Sequence, residues 1–72
     1  MKKEILEKFG AKVRGERIRL GFSQEKLASR AEMHRTYIGM IERAEKNITL
    51  QNIEKVAKAL EISLDKLMTL DN

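Results

Sequence analysis

Arg35, Thr36, Tyr37, Met40 and Arg43 are the residues of this 72-residue chain whose types and spacing could do chemistry. If the segment is helical, Arg35, Thr36 and Tyr37 occupy its first turn. Met40 follows a turn later and Arg43 closes it, while Ile38 and Ile41 fall on the inward side. An arginine at the start of such a helix can donate two parallel hydrogen bonds to guanine, and a threonine beside it can bond a base or touch a thymine methyl. The chemistry on offer is recognition of base-pair edges, with Arg43 placed to contact phosphates or lean into a groove, and not bond making. Each residue has a plainer alternative: a phosphate contact or solvent exposure for Arg35, partial packing on the bundle for Tyr37, and a helix-end charge favoured by the dipole for Arg43.

Catalytic chemistry lacks parts. The chain has one histidine (His34), no cysteine and four scattered glycines. Disulfides, thiolate zinc sites, histidine metal clusters, nucleophile–base pairs and phosphate-cradling glycine loops are therefore not expected. No metal, cofactor or small-molecule ligand is expected, and His34 reads as an N-cap or a phosphate neighbour. No apolar run approaches the ~20 residues of a membrane span, and the N-terminus lacks the apolar core of a secretory signal. The compartment expected is the bacterial cytoplasm.

The reading residues need elements that hold them outward. Proline is absent and no stretch alternates like a strand for more than a few residues. Helical spacing predicts a first helix over about residues 4–20, carrying Ile5, Leu6, Phe9, Val13 and Leu20 and stopped by Gly21. Ser23 caps a short second helix with Leu27, Ala28 and Ala31 inward. His34 precedes a third helix over about 35–43. Thr49 caps a fourth that places Leu50, Ile53, Val56, Ala57 and Leu60 on one face. Ser63 caps a last helix bearing Leu64, Leu67, Met68 and Leu70. The segment 23–43 gives two short helices around a tight turn, with small Ala28 at their crossing and Met33 plugging the turn. That arrangement suits a helix-turn-helix, whose second helix enters the major groove. The expected fold is all-α, a single five-helix repressor-like domain over residues 1–72 with the helix-turn-helix at its centre.

Composition agrees with a small globular domain: 36% of residues are charged and 42% hydrophobic. The net charge of +4 lies entirely in residues 1–20, where seven basic side chains face three acidic ones; the remaining residues cancel. A polyanion can be met there, although a solvated helix face explains the charge equally well. Ser23 and Gln24 open the second helix, whose free N–H groups suit a phosphate. Asn47, Thr49, Gln51 and Asn52 surround the start of the fourth helix as a second candidate phosphate clamp, with simple capping the alternative for Thr49.

The run Gly10…Val13-Arg14…Arg17…Gly21-Phe22-Ser23-Gln24-Glu25-Lys26-Leu27-Ala28 is similar to the opening of Cro/repressor-type (XRE) helix-turn-helix domains. Tyr37 to Arg43 and then Leu50 to Leu60 continue it in register, so the resemblance covers about residues 10–68. Within the family, Arg35-Thr36-Tyr37-Ile38, Glu42-Arg43, Asn47 and Leu50…Asn52-Ile53-Glu54-Lys55 most resemble the controller proteins of restriction–modification systems. No sensor or cleavage domain is expected after residue 72. The resemblance implies a transcription regulator that binds double-stranded DNA, activates at one site and represses once a second fills. It also implies a structural ion pair between Arg17 and Glu42, a buttressing or backbone contact for Gln24, and RNA polymerase as a partner reached through outer acidic residues of helix two such as Glu25. Two positions depart from the family pattern: Glu32 and Ala44 stand where glycine is usual, in backbone that commonly turns left-handed at about 1 kcal/mol for other residues.

One helix-turn-helix touches few base pairs, so a two-fold homodimer on a palindrome is expected, with recognition helices about 34 Å apart. Ile62, Leu64, Leu67 and Met68, with Leu70 beside them, supply the apolar surface expected at its interface. Gly39, inside the recognition helix, is expected to permit close approach of DNA or of the second subunit. The alternatives are a phage-type repressor or antitoxin carrying the same domain and, from a different class, a protein-interaction module.

Overall fold

The computed structural model describes residues 4–70. Its elements are α1 (Glu4–Arg19), α2 (Gln24–Ala31), α3 (Arg35–Glu42), α4 (Leu50–Ala59) and α5 (Leu64–Leu67). There is no strand among the described residues. Among them, no helix is long and apolar enough to cross a membrane, and no group of three or more histidine, aspartate or glutamate side chains is placed to hold a metal.

Side chains start four of the helices. Ser23 Oγ accepts the Lys26 N–H at 3.0 Å, Thr49 Oγ1 the Asn52 N–H at 3.2 Å and Ser63 Oγ the Lys66 N–H at 3.2 Å. His34 does the same work with a ring nitrogen, its Nδ1 accepting the Thr36 N–H at 3.1 Å. Each acceptor satisfies one of the N–H groups a helix start leaves without a partner.

The ends of α1 to α4 share one device. After α1, the Phe22 N–H reaches the Arg17 carbonyl and the Gly21 N–H the Ile18 carbonyl. The same pair of bonds recurs around Glu32, Ala44 and Glu61. This Schellman pattern turns the chain through a left-handed residue and satisfies the last carbonyls. Gly21 (φ 75°) supplies it after α1; Glu32 (φ 58°), Ala44 (φ 62°) and Glu61 (φ 62°) supply it elsewhere. The turns at Glu32 and Ala44 thus keep the left-handed backbone that glycine would favour, and Glu61 is a third such position that the sequence reading did not single out.

Phe9, Val13, Leu27, Ala28, Ala31, Ile38, Ile41, Val56, Ala57, Ala59, Leu60 and Leu67 form the core, with Leu20, Met33, Tyr37, Ile48, Ile53, Ile62 and Leu70 packed around it. Helix α3 lies against α1 and α2, and α4 joins α2 to α5. Ala28 is buried where α2 and α3 cross. At the crossing of α1 and α3 the spacing is tighter still. A Cβ on Gly10 would stand 2.5 Å from the Ile41 carbonyl oxygen and 2.9 Å from that of Glu42, so only glycine fits there.

Three expectations are corrected. Helix α5 is a single turn, leaving Met68 and Leu70 beyond it. Ile5 and Leu50, assigned by spacing to inward faces, are 57% and 74% exposed. They lie near helix N-termini, where no neighbouring element reaches over them. Leu67, expected at an interface between subunits, is fully buried within the protomer because α5 folds its inward side onto α4, and it contributes nothing to an outer surface.

Candidate nucleic-acid interface

The outward residues of α3 are held by what is buried beneath them. Ile38 and Ile41 are at most 2% exposed. Helical periodicity then turns Arg35 and Thr36 to solvent, with Tyr37 and Met40 half-buried at the edges of that face. Tyr37 packs against the core and its hydroxyl accepts the Asn52 Nδ2–H at 3.2 Å. The hydroxyl proton remains able to donate, so a helix-four residue and a helix-three residue present one polar edge together. Asn47 and Gln51 are exposed nearby in sequence, before and within α4.

Beneath this face a polar network ties three helices. Glu42 has a side chain only 2% exposed and accepts Arg17 Nε at 2.7 Å, Arg17 Nη2 at 3.0 Å and Gln24 Nε2 at 3.1 Å. Arg17 Nη1 donates to the Phe22 carbonyl at 2.8 Å. The fork of one arginine thereby fixes α1, the turn before α2 and the end of α3. Gln24 acts as a buttress through Glu42. Ser23 and His34, both exposed, have their side-chain acceptors engaged as caps.

Exposed arginines stand at both ends of α3, and each meets a carboxylate. Arg35 Nη1 stands 3.5 Å from Glu25 Oε2 across the turn. Arg43, at the end of α3, donates from Nε to Glu45 Oε2 at 3.0 Å and from Nη2 to Glu45 Oε1 at 3.2 Å. That hydrogen bond, reinforced by the charge of Glu45, raises the Arg43 pKa above its ordinary value. The Arg43 guanidinium also lies over Gly39, where a Cβ would be 3.0 Å from Nη1, with Gln24 Oε1 at 3.5 Å. Small Gly39 therefore makes room for side chains of its own protomer.

The sequence reading missed both carboxylate partners. Glu25 falls in the first turn of α2 and Arg35 opens α3. Only the crossing of the two helices makes them neighbours. The Arg43–Glu45 pair was within reach of sequence, two positions apart across the left-handed Ala44.

A family model described as helix-turn-helix matches residues 13–67. Over 61 residues the chain is 49% identical to control protein C.BamHI of Bacillus amyloliquefaciens, covering 83% of this chain and 75% of that one. It is 46% identical over 66 residues to control protein C.SmaI of Serratia marcescens, covering 92% and 79%. The crystal structure of the restriction–modification controller protein C.AhdI from Aeromonas hydrophila superposes with a TM-score of 0.88 at 42% identity, covering 90% of this chain and 98% of that one. The chain belongs to the helix-turn-helix family of restriction–modification control proteins. It is accordingly a DNA-binding transcription regulator, and α2 and α3 are its helix-turn-helix.

Proposed function

We propose that the chain acts in the cytoplasm as a homodimer on a palindromic operator, where it controls restriction–modification genes, activating at one site and repressing when a second fills. Arg35, Thr36, Tyr37 and Met40 face the base edges. Ser23, Gln24, His34, Asn47, Gln51 and Asn52 lie along the phosphates, and Arg43 joins them once Glu45 lets go of it. The observation that carries this reading is the exposed first turn of α3: its inner face is fully buried, and nothing of the protomer covers Arg35 and Thr36 beyond the exposed Glu25 carboxylate. One helix-turn-helix reads only a few base pairs of a single major groove, which favours two copies over one.

For the dimer, Leu64 and Met68 are each 40% exposed and Leu50 is 74% exposed. Leu50 and Leu64 line one shallow groove with Gln51 and Glu54, and Ile62 is partly buried against the core. This surface takes the place of the one drawn through Leu67. RNA polymerase, as partner of an activating dimer, would be met by the exposed residues of α2 that stay clear of DNA. No enzymatic activity or small-molecule ligand belongs to this reading.

The test is selection of bound duplexes from a random pool at two salt concentrations, with sedimentation of the same protein. A palindromic motif with half-sites about one turn apart, affinity that falls steeply with salt and loss of both dimer and binding in Leu64→Glu support the reading. A monomer at micromolar concentration with undiminished affinity overturns the dimer. Absence of any enriched motif overturns sequence-specific regulation.

A further inference from the structure

Arg35 and Arg43 carry the same group on the same surface, yet their carboxylates take different edges of it. Glu45 binds Arg43 side-on, occupying Nε and Nη2 together, and Nη1 of the same group rests over Gly39. The Nε–Nη2 edge of Arg43 is thereby occupied. Glu25 approaches Arg35 only at Nη1, 3.5 Å away, and leaves the Nε–Nη2 edge open. That open edge carries two parallel N–H groups that match the O6 and N7 acceptors of guanine.

We infer that Glu25 is a positioning residue for DNA specificity: by holding Arg35 at Nη1 it turns the Nε–Nη2 edge into the groove and keeps the guanidinium from wandering to phosphates. This rests on the reading of Arg35 as a base contact. An arginine that is 65% exposed samples many rotamers, and most of them offer its charge to the nearest phosphate, which carries no sequence information. The Glu25 carboxylate on the neighbouring helix, itself 75% exposed, narrows that set through its charge. It also adds a negative charge close to the backbone of any duplex, which weakens indiscriminate binding more than operator binding, because only the operator returns a bidentate base contact. Arg43, with its fork already filled, supplies the contrast within the same protein. A first-turn acidic residue such as Glu25 would favour the α2 dipole in any case, but that role changes stability and not the ratio between sequences.

The experiment uses the full chain, the palindromic duplex recovered by selection, that duplex with 7-deazaguanine in place of each guanine in turn, and a scrambled duplex. In the wild type, one substituted position per half-site should cost about tenfold in affinity, within the range of a lost bidentate pair. In Glu25→Ala and Glu25→Gln that penalty should shrink to about threefold and scrambled-duplex binding should rise about threefold, the gain expected from one fewer interfacial charge. Glu25→Asp, which keeps the charge, should stay nearer the wild type than Glu25→Gln. Arg35→Ala should be insensitive both to 7-deazaguanine at that position and to a further change at Glu25. If the wild type shows the penalty and the Glu25 variants show it undiminished, the role of Glu25 is overturned and Arg35 still reads the base. If the wild type shows no penalty at any guanine, the reading of Arg35 fails and Glu25 falls with it.

Discussion

Replacing Glu42 by alanine should strongly destabilise the domain, and the reason is visible in what it leaves behind. The Glu42 side chain is 2% exposed and that of Arg17 12%. Without Glu42, the Arg17 Nε and Nη2 donors and the Gln24 amide lose their acceptor together. Breaking a buried pair from one side typically costs about 3–5 kcal/mol; the partial exposure of Arg17 points to the lower end, about 3 kcal/mol. A domain of 72 residues has a total stability of only about 4–11 kcal/mol. In thermal melts followed by circular dichroism, a loss of about 3 kcal/mol appears as a Tm drop of about 12–24 °C. Arg17→Ala should cost a similar amount, since it strands the carboxylate and also removes the donor to the Phe22 carbonyl. The double variant should cost less than the sum of the two by about 2 kcal/mol, the coupling energy of groups that act as one network. The double variant should therefore lose about 4 kcal/mol in all, of which about 1 kcal/mol reflects the Phe22 carbonyl left without its partner. Single losses that add within about 0.5 kcal/mol, or a neutral Glu42→Ala, would refute the claim that this pair joins α1 to the recognition helix.

Other outcomes follow from the same geometry. Gly10→Ala places a Cβ 2.5 Å from the Ile41 carbonyl oxygen, and urea unfolding should show a loss of about 2–3 kcal/mol; an unchanged midpoint would mean α1 and α3 separate at no cost. Ala44→Gly and Glu32→Gly relieve left-handed backbone at φ 62° and 58°, so each should raise stability by about 0.5–1 kcal/mol, and the two should add; a lower Tm in either would contradict the strain. The Asp65 pKa is lowered by the Ser63 hydroxyl and then by the backbone N–H groups of Asp65 and Lys66. A carboxyl whose folded pKa lies below its unfolded value stabilises the fold above the unfolded value, and this contribution is lost as pH falls through the folded one. Acid titration of stability should therefore show a shallower slope below the ordinary carboxylate range in Ser63→Ala than in the wild type.

Much of this protein is written in local chemistry. Ser23, His34, Thr49 and Ser63 mark helix starts because a short polar side chain before a helix has one good use, accepting a free N–H. Ile38 and Ile41, three apart, fix which side of α3 faces the core, and that alone sends Arg35 and Thr36 outward. Glu32 and Ala44 could be read as left-handed only through the family resemblance, which implies glycine at those positions; Glu61 ends α4 in the same way but carried no comparable signal. Periodicity was less dependable near helix starts. It placed Ile5 and Leu50 inward, but whether an apolar residue is covered depends on a second element reaching it, and for these two none does.

Tertiary structure decided the rest, because it concerns groups that only crossing helices bring together. Gly10 is required by carbonyl oxygens 31 and 32 residues away in sequence. The same holds for the Glu25 carboxylate beside Arg35. Leu64, Leu67 and Met68 are alike in type and adjacent in sequence, yet one is sealed in the protomer and two are left on its surface. Local sequence specified the helices, their ends and the face that reads. The carboxylate beside Arg35, and the apolar residues left on the surface, depend on how those helices cross, since a side chain's partners are set by distance in space and its own segment supplies only its direction.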